Sequence, residues 1–236
     1  MSKSKGLIII PAFNEENNIG TIIKEIQNCR INFDVLIIDD GSTDATAEVA
    51  RSHDVPVVSL PFNLGIGGAV QTGFKFALRN GYNYAIQVDA DGQHNPSEIE
   101  KLFEPLKEGE FDVVIGSRYL DKNDYQTTFF RRVGAVIFMG LNFLTTGQKI
   151  KDNTSGFRCY NRRTIEFLSK TYPDDYPEVE AIAVLGKNGF RIKEIPVRMR
   201  SRHSGSSSIT NLKSIYYMIK VSLAILINVF RSKEMK

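Results

Sequence analysis

Apolar and polar positions alternate in blocks along the first half of the chain. Five short apolar runs rich in β-branched residues predict strands, and four segments with apolar residues at helical spacing predict helices. The predicted strands are 6–10, 35–38, 55–60, 84–88 and 111–116, and the predicted helices are 17–29, 43–52, 67–80 and 96–107. This alternation indicates βαβ units, and therefore an α/β fold with a mostly parallel central sheet and helices on both faces.

A cluster of polar residues follows each of these predicted strands. The clusters occupy 11–16, 39–44, 63–68, 89–94 and 117–119. Because ligands of parallel sheets bind outside the carboxyl ends of the strands, the five clusters predict one shared site. Within the second cluster, we expect Ser42 or Thr43 to be the N-cap of the helix at 43–52.

The second half of the chain has a different pattern. An apolar segment at 133–144 is too short to span a membrane and predicts a core helix that is also able to touch lipid. Residues 191–199 predict a late strand, and 200–208 form a basic loop rich in serine. Apolar residues then recur at helical spacing through 209–230, which predicts an amphipathic C-terminal helix.

The amphipathic helix leaves three roles open. Lys213 and Lys220 would each cost about 2.5–3.5 kcal/mol near the centre of a bilayer, so we do not expect a spanning helix. The helix can pack on the body of the protein, form the interface of a homo-oligomer, or lie in a membrane surface. We therefore divide the chain into a globular domain at 1–208 and an amphipathic, basic tail at 209–236.

Charge is unevenly distributed along the chain. The net charge of +3 combines +9 in residues 187–236 with −6 in the residues before them. The basic part is either a solvated face or a surface for anionic lipid headgroups or a phosphorylated substrate. It contains no recognisable nucleic-acid-binding module, so nucleic acid is not an expected partner.

The two cysteines and the N-terminus bear on where the protein works. Cys29 and Cys159 are far apart and have no metal-ligand spacing, which argues against a disulfide framework or a zinc site. The first residues do not have the pattern of a signal peptide. We expect a cytoplasmic protein, peripheral at the inner face of a membrane if its basic region binds lipid.

Asp89 and Asp91 follow a predicted buried strand and are the strongest chemical signal. Residues two apart in extended chain can face the same side, and two converging carboxylates repel unless a cation lies between them. A divalent metal that carries a diphosphate suits oxygen ligands of this kind. The glycine-rich loop at 63–68 is not a dinucleotide fingerprint, because it follows the third strand, and no Walker A pattern is present.

Five motifs in this order resemble those of family 2 inverting glycosyltransferases, which have the GT-A fold. They are 11–16, 38–44, 63–65, 89–94 and 116–119. Within the family, the resemblance is to dolichyl-phosphate mannose synthase and bacterial polyprenyl-phosphate glycosyltransferases, through 155–158 and 202–207. The chain departs from that subgroup in two ways, since it has no additional membrane-spanning helices and no lysine near the end of the 202–207 loop.

The resemblance implies a role for each matched residue. The nucleotide donor would be bound by Pro11, Ala12, Asn14, Glu15, Asp39, Asp40, Gly65, Asp89 and Ala90. Mg²⁺ or Mn²⁺ would be held by Asp89, Asp91 and Gln93, and the acceptor or donor phosphates by Arg118, Arg131, Ser155 and Arg202. Asp91 and Arg118 would be catalytic, and the residues themselves, not the resemblance, add Glu180 as a candidate catalytic base. For Glu15 the alternative is a solvated residue of a first helical turn, and for Arg131 a surface residue.

The expected reaction is transfer of a sugar from a UDP- or GDP-sugar to a polyprenyl phosphate. A phosphate acceptor is already an anion and needs no general base, whereas a saccharide hydroxyl, the alternative acceptor, needs one. Asp152, Glu178 and Glu180 are the candidate bases, and Glu180 is preferred because it leads into an apolar run. A nucleotide-sugar-binding protein without turnover and a nucleotidyltransferase are less favoured.

Overall fold

The computed structural model describes residues 5–120, 136–140, 142–143, 147–200, 220 and 223. These residues form a seven-stranded sheet with helices on both faces. The strands are β1 Gly6–Ala12, β2 Asp34–Asp39, β3 Val57–Ser59, β4 Tyr84–Gln87, β5 Val113–Ser117, β6 Arg158–Asn161 and β7 Ile192–Pro196. The helices are α1 Ile19–Gln27, α2 Thr46–Arg51, α3 Gly65–Arg79, α4 Ile99–Lys107, α5 Arg162–Thr171 and α6 Pro177–Lys187, with a 3₁₀ turn at Pro96–Glu98 before α4.

The strand order is β3-β2-β1-β4-β6-β5-β7. Every pairing is parallel except those of β6, which runs antiparallel to both β4 and β5. This confirms the predicted α/β fold with a mostly parallel sheet. The carboxyl ends of β1, β2, β4 and β5 therefore meet at one edge, where the amino end of β6 joins them.

Burial of both sheet faces explains why the strands have continuous apolar runs. All seven residues of β1 are buried. Leu7 and Ile9 pack in one core with α3, α5 and α6, whereas Ile8 and Ile10 pack in a second core with α1, α2 and α4. A strand covered on both faces carries apolar residues at successive positions, as parallel sheets usually require.

All four predicted helices begin two or three residues away from the predicted start, and the shifts of α2 and α3 bear on the site. Helix α2 begins at Thr46 with Ala45 at the N-cap, so the predicted caps Ser42 and Thr43 are wrong. Those two residues instead hydrogen-bond Asn14, which draws the chain out of helical geometry before α2. Helix α3 begins at Gly65, two residues earlier than predicted.

The predicted apolar and C-terminal helices are only partly described. In the stretch at 136–143, Phe138 and Asn142 are buried while Val136, Ile137 and Phe143 are exposed. The predicted helix at 209–230 lies outside the described residues except for two helical, exposed positions. Within the described part of the chain, no helix has both the length and the hydropathy of a membrane span.

Candidate active site

Two loops that leave β1 and β2 are joined through Asn14. This residue has a positive φ of 56°, a conformation that asparagine tolerates better than most residues. Its backbone N–H donates to Ser42 Oγ at 3.0 Å, and its Oδ1 accepts from the backbone N–H of Thr43 at 2.9 Å. Pro11 and Ala12 are buried at the end of β1, directly before this junction. The predicted nucleoside-binding residues of the two loops are therefore brought together.

Glu15 is part of the same junction. Its backbone N–H donates to Thr46 Oγ1 at 2.8 Å, and its carboxylate accepts from Asn18 Nδ2 at 2.6 Å. The side chain is half-buried. Glu15 thus has a fixed place between α1 and α2, and it is not the freely solvated residue of the alternative interpretation.

The carboxylates of Asp39 and Asp40 organise the loops that follow β2 and β3. Asp39 Oδ1 accepts from the N–H of Ser42 at 3.0 Å, and Asp40 Oδ1 accepts from the N–H of Leu64 at 2.7 Å. Burial raises the pKa of Asp40 above its ordinary value, although the hydrogen bonds from Leu64 and Gly65 act in the opposite direction. Gly65 has a φ of 82°, which favours glycine at the start of α3.

Asp89 and Asp91 lie beyond the end of β4, in the turn that also contains buried Ala90. Burial, followed by the charge of Asp91, raises the pKa of Asp89 to about 7. The side chain of Asp89 nevertheless keeps 35 % of its surface exposed. Asp91 Oδ1 accepts from the backbone N–H of Gln93 at 3.0 Å. The two carboxylates are thus coupled and open to a ligand from one side.

His94 supports Asp89 and was not among the predicted site residues, although it ends the motif at 89–94. Its Nδ1 accepts from the backbone N–H of Asp89 at 2.9 Å, which places the proton of the neutral ring on Nε2, 3.5 Å from Asp89 Oδ2. The ring is buried and stacks on Phe157 with centroids 4.9 Å apart. Burial lowers the pKa of His94 to about 4, so the ring is neutral at pH 7.

Gly156 and Ser155 form the opposite wall beside Asp89. A Cβ atom on Gly156 would lie 2.9 Å from Asp89 Oδ2 and 3.0 Å from Gln87 Nε2, so this position has room only for glycine while Asp89 keeps its place. Ser155 is buried, and its Oγ donates to the carbonyl of Gly116 at 2.6 Å. The Ser155 hydroxyl proton is therefore used to fix the loop before β6 against the end of β5.

Arg118, beyond the end of β5, forms a fork with the carboxylate of Asp152. Its Nε and Nη2 donate to the two oxygens at 2.8 and 2.7 Å, and Nη2 also donates to Thr154 Oγ1 at 2.7 Å. The side chain of Asp152 is fully buried. Asp152 is thus the counterion of Arg118, an arrangement that disfavours it as a general base.

Arg158 and Glu178 are further residues near the carboxylates. Arg158 is buried at the start of β6, where Nε donates to Ser155 O at 2.7 Å and Nη2 donates to Glu178 O at 2.7 Å. Its Nη1 is buried without a hydrogen-bond partner among the described residues. Burial raises the pKa of Glu178, and the charges of Arg158, Asp89 and Arg118 all act on its carboxyl group. Arg158 was not predicted from the sequence.

Glu178 and Glu180 differ in their surroundings. Glu178 stands in the first turn of α6 and interacts with the charges at the sheet edge, whereas Glu180 is a buried residue of the same helix. The sequence interpretation had preferred Glu180 and treated Glu178 mainly as a solvated residue. Glu178 and Glu180 both stay candidates for a residue that faces the acceptor, and the charged neighbours of Glu178 add to its case.

The carboxylate oxygens of the site fit a divalent cation that takes most of its remaining ligands from outside the protein. The carboxylates of Asp89 and Asp91 supply the oxygen atoms that Mg²⁺ and Mn²⁺ prefer, and they lie close enough together for the charge of Asp91 to act on the carboxyl group of Asp89. No group of three or more acidic, histidine or cysteine side chains suited to a metal occurs within the described ranges. A cation held here would therefore complete its shell with water or phosphate oxygens. Arg131 and Arg202, both predicted to bind phosphate, lie outside the described residues.

Comparison with known proteins places this arrangement in a family. The sequence matches the family described as "Glycosyl transferase family 2" over residues 7–168. The chain belongs to this glycosyltransferase family. The matched span includes the two loops joined by Asn14, the two carboxylates beyond β4, and Arg118.

Relatives of this glycosyltransferase extend over nearly its whole length. An uncharacterised protein of Methanocaldococcus jannaschii is 34% identical, with 93% of each chain covered. The UDP-N-acetylglucosamine–dolichyl-phosphate N-acetylglucosaminyltransferase of Methanococcus voltae is 28% identical over 92% of this chain and 95% of its own. The polyprenol monophosphomannose synthase of Mycolicibacterium smegmatis is 30% identical over 92% of this chain and 85% of its own.

A solved structure confirms the fold of the glycosyltransferase. Glucosyl-3-phosphoglycerate synthase from Mycobacterium tuberculosis superposes with a TM-score of 0.71 at 20% identity, covering 97% of this chain and 80% of that one. The predicted GT-A architecture is thereby confirmed.

Proposed function

We propose that this glycosyltransferase moves a sugar from a nucleotide diphosphate donor to a polyprenyl phosphate, with Mg²⁺ or Mn²⁺ bound at Asp89 and Asp91. The observation that carries the proposal is the pair of coupled carboxylates at the sheet edge, walled by Gly156 and faced by the charges of Arg118 and Arg158. An acidic pair surrounded by guanidinium groups suits a ligand that contains both a cation and phosphates.

The names of the relatives support the lipid-phosphate acceptor. One relative is a dolichyl-phosphate N-acetylglucosaminyltransferase and another a polyprenol monophosphomannose synthase. Their acceptors belong to one class of lipid phosphate, whereas their sugars differ. The glucosyl-3-phosphoglycerate synthase that shares the fold was solved with Mn²⁺ and UDP, the kind of ligand pair proposed here.

The donor would be held by residues at or beyond the carboxyl ends of four strands, β1 to β4. In this proposal the loop at Asn14 and Glu15 and the carboxylates of Asp39 and Asp40 form the nucleoside side of the site, together with Pro11, Ala12, Gly65 and Ala90. Asp89, Asp91 and Gln93 would hold the cation beside the diphosphate. When bound, the cation neutralises charge on the departing diphosphate and orients it.

The protein's own groups shape the displacement. The acceptor oxygen forms a bond to the anomeric carbon while the bond from that carbon to the diphosphate oxygen breaks, which inverts the sugar carbon. Arg118, fixed by Asp152, directs a positive field toward the region where phosphate charge accumulates. Arg131 and Arg202 are proposed to contact phosphate oxygens. Ser155 donates its hydroxyl proton to Gly116 O, and could donate to a phosphate oxygen only after that hydroxyl turns away from the carbonyl.

A saccharide hydroxyl is the second candidate acceptor, and one observation favours it. Glu178 has a raised pKa and interacts with Asp89 and both neighbouring arginines, as a carboxylate suited to accept a proton would. In this alternative we assign the base to Glu178 in preference to Glu180. A phosphate acceptor is already deprotonated, so its reaction does not need Glu178 as a general base.

Peripheral contact with a membrane forms part of the proposal. Val136, Ile137 and Phe143 expose 62%, 40% and 52% of their surface on one short helical stretch. A lipid acceptor has to reach the site from a membrane surface, and the positively charged residues 187–236 would favour an anionic one. A cytoplasmic enzyme at the inner membrane face accounts for these features.

In the first experiment, purified protein is incubated with Mn²⁺ and detergent-dispersed undecaprenyl or dolichyl phosphate. Labelled UDP-glucose, UDP-GlcNAc and GDP-mannose are each tested separately as the sugar donor. Label that moves into organic solvent with one donor supports the lipid acceptor and identifies the sugar. Asp91→Asn should lose about a hundredfold or more of this transfer. Asp54→Asn, an exposed position after α2, is the matched control and should retain it. Nucleotide release without labelled lipid would contradict the lipid acceptor.

Glu178→Gln separates the two acceptor classes. With a phosphate acceptor, we expect a change in kcat of only a few fold. With a hydroxyl acceptor, removal of the base should cost about 10²–10⁴-fold. Glu166→Gln, on the exposed side of α5, is the matched control for the substitution itself.

A further inference from the structure

Residues 152–155 form the counterion loop, so named because its first residue neutralises Arg118. The carboxylate of Asp152 accepts from Nε and Nη2 of Arg118 at 2.8 and 2.7 Å. Thr154 Oγ1 accepts from the same Nη2 at 2.7 Å. Two alternate side chains of one short loop thus determine where the guanidinium group of Arg118 lies.

Arg158 binds the main chain of the same loop. Its Nη2 donates to Asn153 O at 3.1 Å, and its Nε donates to Ser155 O at 2.7 Å. The same Nη2 donates to Glu178 O at 2.7 Å, in the first turn of α6. A guanidinium group presents its N–H donors in a fixed planar fork, so this one side chain holds the carbonyls of two segments in one relative position.

The charge of Arg158 is buried without a carboxylate in direct contact. The residue is 1% exposed, and the ion pairs among the described residues do not include it. A buried charge is costly unless it is well hydrogen-bonded or paired, and here main-chain carbonyls supply the hydrogen bonds. An apolar side chain would avoid the buried charge but would leave those carbonyls without their donors. The contacts therefore favour a role for Arg158 in holding the backbone of the counterion loop.

The two ends of the counterion loop have further anchors. The carboxylate of Glu194, on β7, accepts from the backbone N–H groups of Lys151 and Asp152 at 2.8 and 2.6 Å. At the other end, Ser155 Oγ donates to Gly116 O at 2.6 Å. Thr154 is exposed between these ends, and the carbonyls of the residues on either side of it are the ones that bind Arg158.

We propose that Arg158 is a positioning residue for Arg118. It holds the counterion loop from the buried side and so keeps Asp152 and Thr154 in the geometry that fixes the Arg118 guanidinium. The consequence for catalysis rests on the proposed function, in which Arg118 directs a positive field toward the diphosphate. The effect on the position of Arg118 does not depend on that function.

Arg158→Lys tests the positioning directly, because lysine keeps the charge and loses the fork. Proton exchange at the Nε–H of Arg118, followed by nitrogen-15 NMR of arginine-labelled protein, reports its bond to Asp152. In the variant we expect this exchange to become at least about tenfold faster. Arg162→Lys is the matched control, since Arg162 also donates to a main-chain carbonyl, Tyr82 O at 2.9 Å, but at the opposite edge of the sheet. It should leave the exchange of Arg118 unchanged.

Kinetics show whether Arg158 acts on the reaction through Arg118. In Arg158→Lys we expect kcat to fall about tenfold, less than the loss of a positioned donor altogether. Because the charge is kept, affinity for Mn²⁺ with UDP should change less than about twofold. In an Arg118→Gln background, at a temperature where circular dichroism shows both variants folded, Arg158→Lys should change kcat less than about twofold, since residues that act through one another are not additive.

A measurement on the wild type does not depend on whether Arg158→Lys folds. If Arg158 holds the counterion loop, each local opening that exposes the Nε–H of Arg158 also releases that of Arg118. The proton of Arg118 should then exchange at least as fast as that of Arg158. Slower exchange at Arg118 would overturn the inference.

Three further results would also overturn it. They are unchanged exchange of Arg118 in Arg158→Lys, an equal acceleration in Arg162→Lys, and an equal fall in kcat with and without Arg118. The two exchange results hold whether or not the enzyme labels lipid. Faster exchange of Arg118 in Arg158→Lys, together with no labelled lipid from the wild type, would support the positioning and contradict the proposed function alone.

Discussion

The imidazole of His94 contacts both the backbone and the carboxylate of Asp89. Its Nδ1 accepts the N–H of Asp89 at 2.9 Å, and its Nε2 lies 3.5 Å from Oδ2 of the same residue. The ring is buried against Phe157, which fixes its plane. One side chain thus determines both where Asp89 stands and which way its carboxylate points.

His94→Ala should weaken metal binding without removing either carboxylate. Loss of the partner that orients a metal ligand typically costs about 10–100-fold in affinity, and we expect a loss in that range. Titration of Mn²⁺ by electron paramagnetic resonance in the presence of UDP measures it. His53→Ala, after α2 and away from the loop at 89–94, is the control. Wild-type Mn²⁺ affinity in His94→Ala would show that Asp89 does not depend on the ring.

Asp89→Asn should stabilise the metal-free protein at high pH while abolishing transfer. The native pKa of Asp89 is raised to about 7 from 3.8, first by burial and then by Asp91, so the folded state binds the proton more tightly than the unfolded state. The stability of the wild type therefore falls as pH rises from about 4 to 7, and stays low above it. Asparagine carries no charge and avoids this loss.

The expected gain is modest because solvent reaches part of the Asp89 side chain. At pH 8 in EDTA we expect the variant to melt about 2–4 °C higher than the wild type, which corresponds to about 1 kcal/mol after solvent screening. At pH 5 the two proteins should differ little. Differential scanning calorimetry at both pH values measures this, and a gap that does not depend on pH would contradict the assigned shift.

Gly156→Ala should reduce activity through Asp89. The new Cβ would meet Asp89 Oδ2 at 2.9 Å and Gln87 Nε2 at 3.0 Å, so the carboxylate has to move. We expect kcat to fall at least about tenfold, since small displacements at a reacting centre have effects of about a hundredfold. Gly140→Ala, where a Cβ meets nothing within 4 Å, is the matched control. Equal kinetics for the two variants would exclude close packing of Gly156 on Asp89 as a requirement.

Arg118→Gln should destabilise the fold as well as slow the reaction. It leaves the fully buried carboxylate of Asp152 without its counterion, a change that typically costs about 3–5 kcal/mol. We expect the lower end, since Asp152 still accepts the backbone N–H of Arg118 at 2.9 Å. Urea unfolding measures the loss. Adding Asp152→Asn to Arg118→Gln should recover part of the lost stability, because the buried charge is removed. Lys107→Gln, which breaks an exposed ion pair with Glu104, is the control and should change stability by less than about 0.5 kcal/mol.

The sequence was sufficient to predict the strands of the first half and their shared edge. Strands β1 and β2 are buried on both faces, so apolar runs mark them directly. Strand β6 was missed, because its four residues include Arg158 and Asn161 and continue a polar turn. Arg158 is buried there through hydrogen bonds to the carbonyls of Ser155, Asn153 and Glu178, which a local pattern of hydrophobicity does not reveal.

The residues of the candidate site likewise divide into those that a local sequence motif reveals and those that only the packing of the fold brings to the site. Asp89 and Asp91 follow a strand end, and a local motif is enough to find them. Glu178 joins them only because α6 packs beside the sheet edge, some ninety residues later in the chain. The sequence leaves the side of the helix that each of Glu178 and Glu180 occupies undetermined, since it is ambiguous between strand and helix at that point.

The reversed direction of β6 has a consequence for how such enzymes diversify. The chain leaves the sheet after β5 and returns at the adjacent position through β6, so both ends of the intervening segment are anchored side by side at the catalytic edge. A segment with neighbouring ends can be lengthened, shortened or exchanged without reordering the strands. Under the proposed function, new acceptors could be acquired by exchange of the segment between Arg118 and Phe157, while the half proposed to bind the nucleotide stays unchanged.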